Sequence, residues 1–396
     1  MPRKRTEDTP LAVKGPTLPT WHSLRAETDD NAKKAEAKIA QDNLKEALLA
    51  SLQMQHVVVL AGSGTSLGPV GGPSMQDLWN AATTGTQKQA AKDAAKTTGH
   101  DLNDENIEEF LSRCEAYLQV AEDSGVSDFV SSCKGIILDQ CSDFLDPDKL
   151  DAHKVFIHRL SRRRVRDPRL KVFTTNYDLC FERAAAAVGG VVIDGFSFMA
   201  PRYYDPRYFS YDIIRRPHKT EDQGSYLEGV FLLYKLHGSV NWARVPRDLV
   251  LEKSKPSPDE ACLIYPARGK YQQSFLQPHL ESMSQYLTAL REPNTCLVVM
   301  GFGFNDDHLA EPILGAVRSN PHLRLIVADP CITKRDEDKP GSNRYWQELF
   351  ARAGDGEDIW FVNASFHEFA KLIPDLKSLT PADKLMNAIQ SVAKKP

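Results

Sequence analysis

Three polar side chains stand where apolar runs end. Asn176 and Asp178 close the run that ends Val172-Phe173-Thr174-Thr175, and His237 follows Val230 to Leu236 and precedes Gly238-Ser239. In an open α/β sheet, ligands bind outside the carboxyl ends of the strands, so these side chains are candidates for one shared site. Asn176 can donate and accept at once, which suits a ribose hydroxyl, a carboxamide or a water. Asp178 can accept from hydroxyls or from the first amides of the helix that follows. His237 titrates near neutrality and could serve as a general base, with Gly238 beside it to let a ligand approach. Helix capping is the competing role for Asn176 and Asp178, and a purely structural one for His237.

Upstream, the buried-strand pattern His56 to Leu60 runs into Ala61-Gly62-Ser63-Gly64-Thr65-Ser66. A strand, a glycine loop and a helix start suit a phosphate, because glycine admits close backbone approach and helix N-terminal amides favour negative charge. The next glycine is Gly68, so the spacing departs from the dinucleotide fingerprint, and no Lys-Ser/Thr pair of a Walker loop is present. A second glycine-rich strand end is Gly301-Phe302-Gly303-Phe304-Asn305-Asp306, where Gly303 could admit a ligand and Asp306 could cap the next helix. Asp329, before Pro330, suits either a ribose or a turn. His153, His158 and His308 lack comparable settings and are expected as core or surface residues. No His/Glu or His/Cys spacing resembles a metal site.

The elements that must hold these residues follow from periodicity. Strand patterns at 56–60, 170–174, 191–193, 230–236, 262–265, 295–300, 323–328 and 359–362 alternate with helical ones, which predicts a Rossmann-like, doubly wound, mainly parallel sheet. Residues 1–30 are polar with four prolines and read as a flexible lead. Residues 31–54 read as a helical extension and a candidate for self-association. The catalytic domain would span 55–378, with a helical insertion at about 76–150, and 379–396 would form a C-terminal helix or tail. A net charge of −4 gives no general pull towards nucleic acid or membrane. No stretch approaches the roughly 18 apolar residues of a membrane span, and no apolar segment of a secretory leader follows the basic N-terminus. Seven widely spaced cysteines without a C-x-x-C pair read as reduced thiols of a cytoplasmic protein. Arg159, Arg162, Arg163, Arg164, Arg166, Arg169 and Lys171 could meet nucleic acid or an acidic partner, but a solvated helix face is the simpler expectation. The tyrosine-rich stretch 200–211 suits a lid, a subunit contact or a packed loop.

The ordered series AGSGTS, TTNYD, LHGS and GFGF-ND resembles the bacterial sirtuin-like NAD hydrolases of antiphage defence, over about residues 55 to 330. The resemblance implies NAD as substrate. It places Ala61, Gly62, Ser63, Gly64 and Thr65 at the phosphates, Asn176 and Asp178 at the nicotinamide and its ribose, His237 as catalytic base, and Gly301 and Gly303 on the adenosine side. Glu109 lies in a helix that carries an acidic residue in this group. A homo-oligomer and a HerA-type ATPase or another activating protein are the implied partners. Deacetylating sirtuins carry a zinc module with two C-x-x-C pairs after the His-Gly; here residues 240 to 262 take that place without them, and Thr175 replaces a glutamine. No metal is expected, and water rather than acyl-lysine becomes the acceptor. An NAD-dependent deacylase, an ADP-ribosyltransferase and a non-catalytic NAD or ADP-ribose sensor are the competing readings.

Overall fold

The computed structural model describes residues 11–25, 30–163, 167–215, 225–266, 276–336 and 343–375. Nine strands form the main sheet: β1 (Ala12–Gly15), β2 (Leu18–Ser23), β3 (His56–Ala61), β4 (Leu170–Thr174), β5 (Val191–Ile193), β8 (Val230–Lys235), β12 (Thr295–Met300), β13 (Leu323–Ala328) and β14 (Ile359–Asn363). Their order is β2-β1-β14-β13-β12-β3-β4-β8-β5. All pairings from β14 to β5 are parallel, as expected for a doubly wound Rossmann-like sheet. A hairpin of β6 (Ile214–Arg215) and β7 (Ser225–Tyr226) stands apart. So does a three-stranded antiparallel sheet of β9 (Gly238–Val245), β10 (Leu249–Glu252) and β11 (Ala261–Leu263). The helices are α1 (Asn31–Leu52), α2 (Met75–Thr83), α3 (Lys88–Thr98), α4 (Ile107–Leu118), α5 (Ser124–Asp143), α6 (Asp151–Leu160), α7 (Cys180–Ala187), α8 (His279–Arg291), α9 (Asp307–Ser319), α10 (Ile332–Arg335), α11 (Arg344–Gly354) and α12 (Phe366–Leu372).

The central strands are apolar on both faces because helices cover both. Val57, Val59 and Val172 point to one face, where they meet Leu44 and Leu48 of α1, Phe156 of α6, Phe181 of α7 and Phe369 of α12. Val58, Leu60 and Phe173 point to the other, against Tyr286 of α8, Ile313 of α9 and Trp346 of α11. The insertion α2–α5 builds its own core from Trp79, Phe110, Phe129 and Ile137, and joins the small sheet through Val240, Leu263 and Tyr265.

Register places the site. Ala61 of β3 pairs with Met300 of β12 and Thr174 of β4, and Thr174 pairs with Lys235 of β8. Four strands therefore end in one row. The chain builds the β4–β8–β5 half before it returns to β12, so the winding reverses between β3 and β12, the position at which open sheets hold ligands.

Three expectations change. Residues 11–25, read as part of a flexible lead, are β1 and β2, an antiparallel ribbon on the edge of β14; residues 1–10 lie outside the described residues. Their polar composition reflects an edge position: Ala12 and Val13 of β1 are buried, but the outer strand β2 buries only Leu18. The helix at 31–54 is no appendage, because Ala40, Leu44, Leu48 and Leu52 are spent on the sheet. Strand 262–265 belongs to the small sheet as β11 rather than to the main one. The tail at 379–396 lies outside the described residues.

The basic cluster splits by function. Arg163 donates to the carbonyls of Leu52 at 3.3 Å, Met54 at 2.7 Å and Gln55 at 2.7 Å, closing the end of α1. Arg159 does the same for Ala370, Lys371 and Ile373 behind α12. Cations suit these positions because the last carbonyls of a helix lack partners. Arg169 forms a fork with Asp212 at 2.7 and 2.9 Å. These three are structural; residues 164–166 lie outside the described residues. The 200–211 stretch is packed at its start: Tyr204 lies against Phe196 and Trp242. All seven cysteines are free, and six are buried. Among the described residues, no helix is long and apolar enough to cross a membrane. Nor do any three His, Cys, Asp or Glu side chains there form a group that could hold a metal.

His153 is wholly buried between Phe181 and Phe366, and neither ring nitrogen has a partner. Burial lowers its pKa from 6.5 to about 4. The unfolded chain therefore binds a proton between these values that the folded chain refuses, so stability is full above pH 6.5 and falls as pH drops towards 4. The expected slope is about 1.4 kcal/mol per pH unit from this residue. Denaturant unfolding at pH 6.5 and 5 should show that His153→Leu loses about 2 kcal/mol less stability over this interval than the unaltered chain; equal losses would refute the assignment.

Candidate functional site

Beyond the row of strand ends lies a pocket of about 220 Å³, lined by residues from all four strand-end loops and from the insertion. Ser63, Asn176, Asp178, His237, Gly301 and Gly303 face it. The structure thus brings together six of the ten residues singled out in the sequence. Ala61, Gly62, Gly64 and Thr65 form the layer beneath.

The glycine loop is a short turn rather than a direct entry into a long helix. After β3 a single 3₁₀ turn, Ser63–Thr65, follows, and α2 begins only at Met75. The amide of Gly62 donates to Met300 O at 2.9 Å, Gly64 to Gly301 O at 2.9 Å, and Thr65 to Gly62 O at 3.0 Å. A Cβ on Gly62 would lie 2.5 Å from Gly301 O, and one on Gly64 2.6 Å from Gly301 Cα. The neighbouring loop therefore requires both glycines on its own account. Gly301 itself sits at φ +58°, a left-handed conformation suited to glycine, with a hypothetical Cβ 2.5 Å from Thr65 N. Gly238, expected to make room for a ligand, answers to the same rule: at φ +84° its Cβ would fall 2.1 Å from Cys262 O on β11.

Asn176 is 7% exposed, and its orientation follows from proton bookkeeping. Thr65 Oγ1 donates to Gly62 O at 2.9 Å, and Ser66 Oγ donates to Asp178 Oδ2 at 2.6 Å. Both hydroxyls have spent their protons, so each can only accept from Asn176. Its Nδ2 donates to Thr65 Oγ1 at 3.0 Å and Ser66 Oγ at 2.9 Å. The amide oxygen is left on the opposite side, buried and without a partner. A buried acceptor of this kind is costly unless a ligand or water satisfies it. Asp178 performs both roles considered for it, accepting from Ser66 and, through Oδ1, from the Cys180 amide at 3.0 Å at the start of α7.

The loop is anchored from behind by a residue whose role periodicity hid. Lys235, 2% exposed, ends β8 with its ammonium against Glu182 Oε1 at 3.1 Å. It also donates to the carbonyls of Tyr177 and Asp178. Burial pushes the Glu182 carboxyl up, while Lys235 pulls it back. A lysine in an apolar strand was the available signal, since lysine is almost never fully buried unpaired.

His237, 4% exposed, places Nε2 3.4 Å from Nε2 of His308, with the rings 5.5 Å apart. His308, expected as a core or surface residue, belongs to the site. It stands on the first turn of α9, with Nδ1 3.9 Å from Asp306 Oδ1. Asp306 starts α9 without a side-chain cap bond and lines the pocket instead. Asp329 faces its own turn: Oδ1 accepts from the Cys331 amide at 2.8 Å. From the insertion, the pocket-lining acid is Glu108; Glu109 pairs with Arg113 at 2.9 Å. Cys141 closes the wall, with its thiol pushed up to about 12 by burial.

Residues 170–353 match a family model described as a SIR2-like domain, less than half of the chain. The match includes Asn176, Asp178, His237, Gly301 and Gly303, and leaves out the Gly62 loop. No curated protein matches the chain. Similar solved structures include a Sir2 homologue in complex with ADP-ribose, at 13% identity and TM-score 0.43, covering 89% of this chain and 98% of that one. Another is a Sir2 homologue in complex with NAD, at 13% identity and TM-score 0.43, covering 88% and 94%. A third is a Sir2 bound to an acetylated peptide, at 12% identity and TM-score 0.37, covering 82% and 95%.

Two outcomes follow from this packing. Gly301→Ala should cost about 2–4 kcal/mol, combining left-handed strain with overlap against the Gly64–Thr65 backbone. Gly303→Ala should cost less than about 1 kcal/mol, because it meets only the side chain of Asn305. Thermal unfolding of both variants checks the difference, and equal losses would disprove the close-approach argument. Ser66→Ala removes the link between Asn176 and Asp178 and should cost about 1–3 kcal/mol by the same measurement.

Proposed function

We propose that the chain is an NAD glycohydrolase that cleaves NAD to nicotinamide and ADP-ribose. The observation that carries this reading is the unpartnered, buried amide oxygen of Asn176 in one pocket with His237, at the reversal point of a doubly wound sheet. The SIR2-like match over residues 170–353, which hold both, supports it, as does the ordered series of sirtuin-like strings.

The chemistry asks little of so small a set of groups. Nicotinamide leaves NAD as a neutral molecule from a cationic ring, so no strong general acid is needed. The transition state is oxocarbenium-like, as in glycoside cleavage. Asn176 Oδ1 accepts from a ribose hydroxyl or from the attacking water and fixes its place. His237 takes the proton from that hydroxyl or water. Ser63 faces the pyrophosphate and the Gly301–Gly303 turn the adenosine side, while Gly62, Gly64 and Thr65 support that surface. Glu108, Asp178 and Asp306 line the pocket, and among the described residues no lysine or arginine joins them, a setting that favours the cationic ring before cleavage.

Water is assigned as the acceptor because the chain lacks the paired C-x-x-C strings that accompany acyl-lysine binding in deacetylating sirtuins. The reading extends to an NAD-depleting effector of antiphage defence that works as a homo-oligomer with a HerA-type ATPase or another activator. That extension rests on the resemblance of the strings, and α1, whose apolar face is occupied, is withdrawn as its self-association element.

Incubation of the purified chain with NAD, alone and with a HerA-type partner, should release equimolar nicotinamide and ADP-ribose. Asn176→Ala and His237→Ala should each lower kcat by about 10²–10⁴-fold. Tight NAD binding without release under any condition would favour the sensor reading, and transfer of ADP-ribose to protein would favour the transferase.

A further inference from the structure

We propose that Tyr177 is a positioning residue whose phenol braces the strand end that carries Asn176 against the one that carries His237. The inference rests on the assignment of those two residues to one reaction and explains what holds them at a fixed separation.

The brace runs through the end of β11. The Tyr177 hydroxyl donates to Ile264 O at 2.6 Å, and the Ile264 amide donates to His237 O at 2.9 Å. Ile264 therefore holds the Tyr177 side chain with one backbone group and the His237 backbone with the other. A second arm grips the other end of the tyrosine. Val240 N donates to Tyr177 O at 3.0 Å, and Ser239 Oγ donates to the same carbonyl at 3.2 Å. These contacts close a ring through Tyr177, Ile264 and His237, and one peptide bond joins Asn176 to it. The phenol ring also packs beside Leu179 on the core of the insertion, which fixes the direction of its hydroxyl. Burial pushes this hydroxyl well above its ordinary range, and Cys141, Asp306 and Glu108 add to the shift, so it keeps its proton and remains a donor. That proton is given to Ile264 O, so the phenol acts on the reaction through the backbone. Ile264 is buried, and removing the phenol takes a donor from a buried carbonyl, a cost that a shift of β11 relieves. Such a shift carries the His237 backbone with it. A misplacement of about 1 Å at the reacting groups is enough to lower a rate about 10²-fold.

The test uses the full chain with Tyr177→Phe, which removes only the hydroxyl, and with 4-aminophenylalanine at position 177, which returns an N–H donor to the same place. Tyr177→Phe should lower kcat for nicotinamide release by about 10–10²-fold and leave KM within about threefold. The pH profile of kcat should keep its shape, because the phenol takes no part in proton transfer. The 4-aminophenylalanine chain should recover most of the lost rate. Independently of turnover, NMR of histidine-labelled protein should show the His237 resonances displaced in Tyr177→Phe and returned by 4-aminophenylalanine. Those of His56, at the opposite end of β3, should stay in place. An unchanged kcat, a loss confined to KM, or a rate that the amino group fails to restore would overturn the proposal. So would a pH profile that loses one limb, which would make the phenol a proton donor to the reaction, or His237 resonances that do not move. If the unaltered chain releases no nicotinamide, the glycohydrolase reading falls, while the His237 resonances still decide whether the phenol holds that strand end.

Discussion

The structure depends on the closeness with which two loops meet above the reversal point of the sheet. The amide of Gly64 reaches Gly301 O at 2.9 Å, and no side chain fits between the Gly62–Gly64 and Gly301 backbones. The winding reverses between β3 and β12, so their loops part in opposite directions and leave a crevice. Here the crevice floor is closed by backbone hydrogen bonds between glycines. That closure stops the pocket at the level of Ser63, Asn176 and His237.

Above the floor, polar groups are fixed by a directed chain of hydrogen bonds. Ser66 gives its proton to Asp178 and Thr65 gives its own to Gly62 O, so Asn176 has one orientation open to it. Lys235 holds the following two carbonyls from behind, and Glu182 compensates its charge. Removing either partner of such a buried pair exposes the other to an uncompensated desolvation cost. The outcome is a preorganised acceptor atom, Asn176 Oδ1, whose position does not depend on a ligand.

The walls come from elements that the sheet does not itself specify. The insertion α2–α5 brings Glu108 and Cys141, and it is fastened through Val240, Leu263 and Tyr265 to the small sheet that follows His237. The small sheet thus serves as a bracket between the insertion and the end of β8. Gly238 completes it, since only glycine lets β9 leave His237 so close to β11.

Much of the fold was legible in the sequence. Continuous apolar runs such as Val57-Val58-Val59-Leu60 and Leu297-Val298-Val299 signal strands covered on both faces, and the strand limits of β4, β12 and β13 follow from where polar residues interrupt them. Asn176, Asp178 and His237 were legible as polar side chains at strand ends, and the fold brings all three to one pocket, with Asp178 also capping α7. The edge ribbon β1–β2 was not, since the outer strand β2 buries only Leu18 and its composition reads as a loop. Nor was the reason for the glycines: a sequence shows that Gly62, Gly64, Gly238 and Gly301 lack side chains, but only the fold shows that another backbone occupies the space. His308 is the clearest case. It lies 71 residues from His237 in the chain, and no local pattern distinguishes it. Composition and periodicity determine which residues enter strands and where those strands end, because burial on two faces constrains each strand on its own. Which strand ends stand side by side, and hence which polar groups share protons, is decided by register across β12, β3, β4 and β8, a property of the assembled sheet and not of any segment within it.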